Sequence, residues 1–212
     1  MQSPVVVIGA GVGGLSAALD LATRGVPVLV LEKEAAPGGK MRQVFPAGRP
    51  IDAGPTVFTL RRVFDELFAA AGADLDAELR PTKLNILARH AWDGAGTGSD
   101  NRLDLLADRR ESADAIGRFA GKAEAEGFLR FTAEAGRIFS TLHESFMLAQ
   151  RPSPAGLARN VGYANLGALW ATRPFVTLWK ALGGHFRDPR LRQLFGRYAT
   201  YCGSSPFSAP GT

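Results

Sequence analysis

Four β-branched apolar residues, Val5 to Ile8, open the chain and run straight into Gly9-Ala10-Gly11-Val12-Gly13-Gly14. Leu15, Ala18, Leu19 and Ala22 then recur at helical spacing and predict a face laid against a sheet. Gly25 stands where a helix C-terminal glycine belongs. Val28 to Leu31 reads as a second buried strand that closes on Glu32. Strand, glycine turn, helix and strand in this order predict a parallel βαβ unit. Further on, Leu60 to Ala71 is helical through Val63, Leu67 and Ala70, and Pro81 ends that region. The stretch from Ala91 to Asn101 is rich in Gly, Asp and Ser and reads as a hairpin turn or loop, and Leu103 to Leu106 as a strand. Ser112 is placed to cap a short helix through Phe119. A long helix is predicted from about Lys122, with Phe128, Phe131, Ala135, Ile138, Leu142 and Phe146 three or four apart. Such a stripe is expected in a core, though a wide aromatic face also suits the wall of an apolar tunnel. Pro152 and Pro154 break the chain, and Gly156 to Phe186 is helical in character, interrupted by Pro174 and Gly183-Gly184.

The glycine turn carries the chemistry. Gly9 permits a tight turn, Gly11 lets a pyrophosphate approach the backbone, and Gly14 lets the helix lie close to the strand. The helix N-terminus then points free N–H groups at the phosphates. Glu32 stands at the distance where an acid binds ribose hydroxyls, and its charge disfavours the 2′-phosphate of NADP. A glycine-rich turn in an unrelated α/β protein is the alternative. Pro37-Gly38-Gly39-Lys40 reads as a plain turn, or as a second wall around phosphates with Lys40 supplying charge. Ile51-Asp52-Ala53-Gly54-Pro55-Thr56 is another tight segment with backbone donors and a hydroxyl.

Composition bounds the rest. At 212 residues, 46% hydrophobic and 21% charged, the chain is an ordinary globular protein of one large domain or two small ones. Its single cysteine, Cys202, excludes an internal disulfide and is expected as a small buried apolar residue in a reducing compartment. The first strand begins too close to Met1 to leave room for a signal peptide. The net charge of +5 is unevenly placed: residues 151–212 hold eight Lys/Arg against Asp188 alone, and nine of the 19 aromatic residues. No nucleic-acid motif accompanies them, which leaves an anionic membrane surface as the partner of a basic, aromatic segment. The uncharged stretch Asn160 to Thr172 is too short to span a bilayer but allows an interfacial helix, with a core helix as the alternative. His90, His143 and His185 show no metal-type spacing and are expected to be structural, with no metal site.

In combination, the glycine turn with Glu32, Pro37-Gly38-Gly39-Lys40 and Asp52-Ala53-Gly54-Pro55-Thr56 resemble the bacterial carotenoid desaturases, flavoproteins related to the amine-oxidase superfamily. The resemblance continues through Leu87-Ala88-Arg89-His90-Ala91-Trp92 and Leu103-Asp104-Leu105. It is strongest at His185-Phe186-Arg187-Asp188-Pro189-Arg190-Leu191 and Phe195 to Tyr201, which look like the branch acting on hydroxy- or methoxy-neurosporene, the 1-hydroxycarotenoid 3,4-desaturases. It implies FAD, with Gly9, Gly11 and Gly14 at the pyrophosphate, Glu32 at the adenosine ribose, Gly13 and Lys33 also among the cofactor-binding residues, Gly39 and Lys40 in the loop beside the cofactor, and Gly54, Pro55 and Thr56 near the flavin ring. Lys40 stands where many relatives carry Arg, so a bidentate phosphate contact would become a point charge.

The implied fold is α/β: a Rossmann-like FAD-binding βαβ unit (residues 1–84), then part of an α+β, largely helical substrate and membrane-docking domain (residues 85–212). The implied activity is introduction of C=C bonds into an acyclic hydroxy- or methoxy-carotenoid by a cytoplasmic protein held peripherally at the inner or intracytoplasmic membrane. No position matches a motif whose catalytic role carries over, and the electron acceptor is not implied. Members are more than twice this length, so the chain is expected to be a truncated, N-terminal part that binds FAD poorly and turns over nothing alone. Rival readings are a carotenoid isomerase, an amine oxidase and a non-catalytic nucleotide-binding fragment. A standard NAD-dependent dehydrogenase is disfavoured, having no role for Pro-Gly-Gly-Lys or Asp-x-Gly-Pro.

Overall fold

A computed structural model describes residues 3–55, 57–93, 101–148, 153 and 172–211. The chain divides into two compact units, Met1–Thr82 and Lys83–Thr212.

The first unit is built on the opening apolar run. Strand β1 (Val5–Ile8) leads into helix α1 (Val12–Thr23) and strand β2 (Val28–Leu31). The two strands pair in parallel from Val5 against Val28 to Ile8 against Leu31. Helix α1 ends in a Schellman turn: Gly25 has φ 74°, its N–H reaches Ala22 O at 3.0 Å, and Val26 N–H reaches Leu21 O at 3.1 Å. The helix begins differently, since Gly11 at its N-cap offers no side-chain bond.

Strand β2 is not buried as its sequence suggested. Val28 and Val30 are half-buried, but Leu29 and Leu31 are 47% and 49% exposed. On α1, Ala18 and Leu19 are half-buried while Leu15 and Ala22 are exposed. A strand buries both faces only when layers cover both, and the described sheet has two strands with one helix across it. Next in the chain is a hairpin, β3 (Gln43–Val44) against β4 (Ile51–Asp52), tied by Gln43 Nε2 to Asp52 Oδ1 at 3.0 Å. Helix α2 (Arg61–Ala70) falls within a residue of its predicted span, and the short α3 (Leu75–Glu78) plants Leu75 at 1% exposure.

The second unit pairs β5 (Ile86–Ala91) antiparallel with β6 (Arg102–Leu106), crossed by a bidentate Arg89–Asp104 contact at 2.7 Å. Helices α4 (Arg109–Ala120) and α5 (Lys122–Leu142) come after, with α5 continuing through a π-helical turn, His143–Met147. Next come α6 (Leu178–Gly183), α7 (Pro189–Gly196) and a 3₁₀ turn, Arg197–Cys202. The core gathers Leu103, Ile116, Phe128, Leu182, Phe186, Leu191 and Phe195. Phe186 and Phe195 stack at 4.9 Å, and Phe131 meets Phe186 edge-on at 5.6 Å. Glu124, 6% exposed, ties the start of α5 to the turn before α7 by accepting the Arg187 amide at 3.0 Å.

Three expectations change here. The cap of α4 is Asp108, whose carboxylate takes the amides of Arg110 and Glu111 at 2.7 and 2.9 Å. Ser112 lies inside the helix instead, and its hydroxyl pairs with both backbone groups of Leu106 at 2.9 Å. The aromatic stripe of α5 is split: Phe128 and Phe131 pack in or against the core, whereas Ala135 is exposed and Phe146 is 48% exposed. Cys202 is exposed rather than buried, because the chain reverses at Gly203 (φ 65°) as soon as the 3₁₀ turn ends. Of the uncharged stretch, residues 160–171 lie outside the described residues, as do most of the glycine-rich loop and Trp170.

Candidate cofactor site

The parallel strands end side by side, and the loops that leave their C-terminal ends enclose a cleft of about 790 Å³. Its size is that of a small-molecule or cofactor pocket. Gly9 leaves β1 with φ 98° and ties its N–H to Leu31 O at 2.7 Å, so the glycine turn is fastened to the end of β2. Gly14 does not line the cleft; it lies behind it, where a Cβ would collide with the Gly9 carbonyl oxygen. That contact is the close helix–strand approach predicted for the third glycine of the motif. Gly13 is also outside the cleft, with no atom within 4 Å of where its Cβ would be.

The second wall is the Gly38–Gly39–Lys40 loop. Gly38 N–H bonds Ala10 O at 2.8 Å, and Gly38 bridges Gly11 in a parallel sense. Gly39 takes φ 60°, and a Cβ there would sit 3.1 Å from Gly11 Cα. Behind it, a Cβ on Gly54 would strike the Lys40 carbonyl oxygen. Three chain segments therefore meet backbone to backbone, at Gly39 and Gly54 too closely for a side chain to enter without a shift.

Glu32 sits at the junction. Its Oε2 accepts the Ala10 N–H at 2.6 Å and its Oε1 accepts the Glu34 N–H at 3.0 Å. Those two amides, Glu34 first, hold its carboxyl below the usual glutamate range, so it is ionised at neutral pH. Each oxygen keeps a lone pair for a further donor. Lys33, Lys40 and Arg42 also line the cleft. Lys33 pairs with Glu34 at 2.7 Å, while among the described residues neither Lys40 nor Arg42 has an ion pair. Ile8, 87% exposed, and Leu31 form an apolar wall.

Of the residues expected from sequence, Gly9, Gly11, Glu32, Lys33, Gly39, Lys40, Gly54 and Pro55 line one cleft. Gly14 packs behind it against Gly9, Gly13 does not line it, and Thr56 lies outside the described residues. Sequence reasoning missed Arg42 and Ile8. The signal for Arg42 was a second cation two residues past Gly-Gly-Lys, where the chain enters β3. Among the described residues, no three His, Cys, Asp or Glu side chains are grouped to hold a metal.

The cleft suits a dinucleotide. Uncapped first-turn amides and two cations with no ion pair among the described residues could take a diphosphate, the ionised Glu32 could accept from ribose hydroxyls, and glycines leave the space between clear.

Residues 7–71 match the family described as NAD(P)-binding Rossmann-like domain. Over 208 residues, 98% of this chain, the sequence is 51% identical to hydroxyneurosporene desaturase of Rubrivivax gelatinosus, of which it covers 39%. It is 44% identical over 211 residues to the hydroxyneurosporene desaturase of Rhodobacter capsulatus, covering 99% of this chain and 41% of that protein. It is 34% identical over 215 residues to the phytoene desaturase of Fusarium fujikuroi, covering all of this chain and 36% of that protein. The chain thus spans about two fifths of the length of these curated relatives.

Proposed function

We propose that this chain is the dinucleotide-holding part of a flavin-dependent carotenoid desaturase, one that acts on an acyclic hydroxy- or methoxy-carotenoid of the neurosporene type. The observation that carries the reading is the junction of Gly11, Gly39 and Glu32 in one cleft, within a chain 44–51% identical along nearly its whole length to hydroxyneurosporene desaturases. FAD is favoured over NADP because the ionised Glu32 would face a 2′-phosphate.

Bound here, a flavin supplies a two-electron acceptor for removal of two hydrogens from adjacent carbons of a polyene. The chain's own part is binding. The first-turn amides of α1 would hold the diphosphate, and Lys40 and Arg42 would balance its charge. Glu32, held by the Ala10 and Glu34 amides, would accept from ribose hydroxyls. Gly54 and Pro55 close the end of the cleft nearest Lys40. The substrate would be a membrane-soluble hydrocarbon chain, which supports peripheral association of the protein with a membrane. No helix among the described residues is long and apolar enough to cross one.

Two measurements test this. Titration of the chain with FAD, NAD⁺ and NADP⁺, read by flavin fluorescence and by competition, should rank FAD above NADP⁺, with G39A weakening FAD about tenfold or more through its left-handed backbone and the crowding of Gly11. NADP⁺ binding tighter than FAD would overturn the cofactor. The complete protein, given an acyclic 1-hydroxycarotenoid, should shift the polyene absorption band to longer wavelength. Release of peroxide from an amine, with the polyene unchanged, would move it to the amine oxidases.

A further inference from the structure

Sorted by the part of a dinucleotide each could hold, the contacts of the cofactor cleft gather in one half of the ligand. Ile8 and Leu31 are register partners across the parallel strands, so they share one face of the sheet, and both line the cleft. At 87% and 49% exposure they leave an uncovered aliphatic shelf on which a purine ring can lie. Glu32 follows Leu31 directly. Its ionised carboxylate is fixed by the Ala10 and Glu34 amides and keeps lone pairs for ribose hydroxyls. Lys33 is already engaged with Glu34 at 2.7 Å.

Lys40 and Arg42 remain, with no ion pair among the described residues. Arg42 grows from a fixed point. Its carbonyl accepts the Ala53 N–H at 2.9 Å, and the turn before it is closed by Met41 N–H on Gly38 O at 3.0 Å. A lysine offers a point charge, whereas a guanidinium can take two phosphate oxygens at once. Together the two cations match a diphosphate beside the uncapped start of α1. Toward the rest of a flavin dinucleotide the lining offers Gly54 and Pro55, neither with a charged or hydrogen-bonding side chain. Apart from the Lys33–Glu34 pair, every charged side chain lining the cleft therefore addresses a group that a free purine nucleoside diphosphate also carries. The terminal phosphate of such a ligand, with a second ionisation at about pH 6, brings about one more negative charge to Lys40 and Arg42 than the diester of a dinucleotide does.

We propose that the cleft is also a receptor for a free purine nucleoside diphosphate, which competes with FAD and so regulates how much of the protein is loaded. This second ligand rests on the dinucleotide reading of the cleft given above. At free ADP about tenfold above its own dissociation constant, the FAD concentration for half-loading rises roughly elevenfold.

Titration of the chain with FAD, read by flavin fluorescence at several fixed ADP concentrations in magnesium-free buffer, tests it. The half-loading concentration of FAD should climb in proportion to ADP. AMP, with one phosphate for two cations, should compete about tenfold less well. R42Q should weaken ADP and FAD alike by about tenfold and K40Q/R42Q by roughly 100-fold. R80Q, which removes a charge from a residue outside the cleft lining, should weaken neither. Calorimetry reads ADP binding directly, and far-UV circular dichroism confirms that each variant keeps its helices. If FAD binds and ADP leaves its half-loading concentration unchanged, free ADP is not a ligand of this cleft, while the cofactor reading stands. If K40Q/R42Q binds ADP as tightly as R80Q does, the diphosphate lies elsewhere and the proposal is overturned. If neither FAD nor ADP binds, both readings fall.

Discussion

Replacing Gly14 with Ala, beside Gly13 with Ala as its twin, tests the close approach behind the cofactor cleft. The two glycines are neighbours in the first turn of α1, and both gain about 0.5–1 kcal/mol of helix preference from a methyl group. They differ in what that methyl meets. At Gly13 nothing lies within 4 Å, so G13A should stabilise the first unit by that amount. At Gly14 the methyl runs into the Gly9 carbonyl, with Val7 Cγ1 at 3.4 Å. Gly9 has no room to yield, because its N–H is tied to Leu31 at 2.7 Å. The helix must lift off the strand end, an overpacking cost of about 1–3 kcal/mol. Net of helix preference, G14A should destabilise by roughly 1–2 kcal/mol, or about 5–15 °C in melting for a unit of this size. Hydrogen exchange of the α1 amides reads the first unit separately from the second. G14A should speed that exchange and weaken FAD, and G13A should slow it. Shifts of the same sign and size in both variants would refute the reasoning.

S112A removes the hydroxyl that pairs with both backbone groups of Leu106 at a residue 2% exposed, so the second unit should lose about 2 kcal/mol in urea unfolding; an unchanged midpoint would mean water satisfies Leu106. Glu32 has a folded pKa below its ordinary value, so its contribution to stability is complete above the ordinary glutamate range and is lost as pH falls through the lowered value. Melting of the first unit should decline with acid over that window, and E32Q should remove that part of the slope.

What the sequence made legible was local. The run Val5 to Ile8, the glycines and Gly25 each act through residues a few positions away, and β1, α1, β2 and the Schellman turn formed where the pattern placed them. Burial was less legible, since it depends on what other segments cover: Leu29 and Leu31 have the composition of a covered strand without two covering layers. Asp108 and Ser112 are both good helix-capping residues four apart, and pattern alone does not choose between them. The choice is made by Leu106, whose backbone N–H and carbonyl both bond the serine hydroxyl. The β3–β4 hairpin, two residues a side, is too short to show a period. In the cleft, the glycines and Glu32 were readable because their roles are backbone roles, whereas Arg42 entered through the path of the loop.

The bridge from Gly11 to Gly38, with the Gly38–Ala10 bond beside it, makes the amide donors of α1 and the lysine loop a single prefabricated clasp. Its shape is set by peptide groups rather than by side-chain rotamers, so a nucleotide entering it spends little of its binding energy on ordering the walls. Evolution can then exchange Lys40 or Arg42 and tune grip, but a side chain at Gly39 would prise the clasp open at both jaws together.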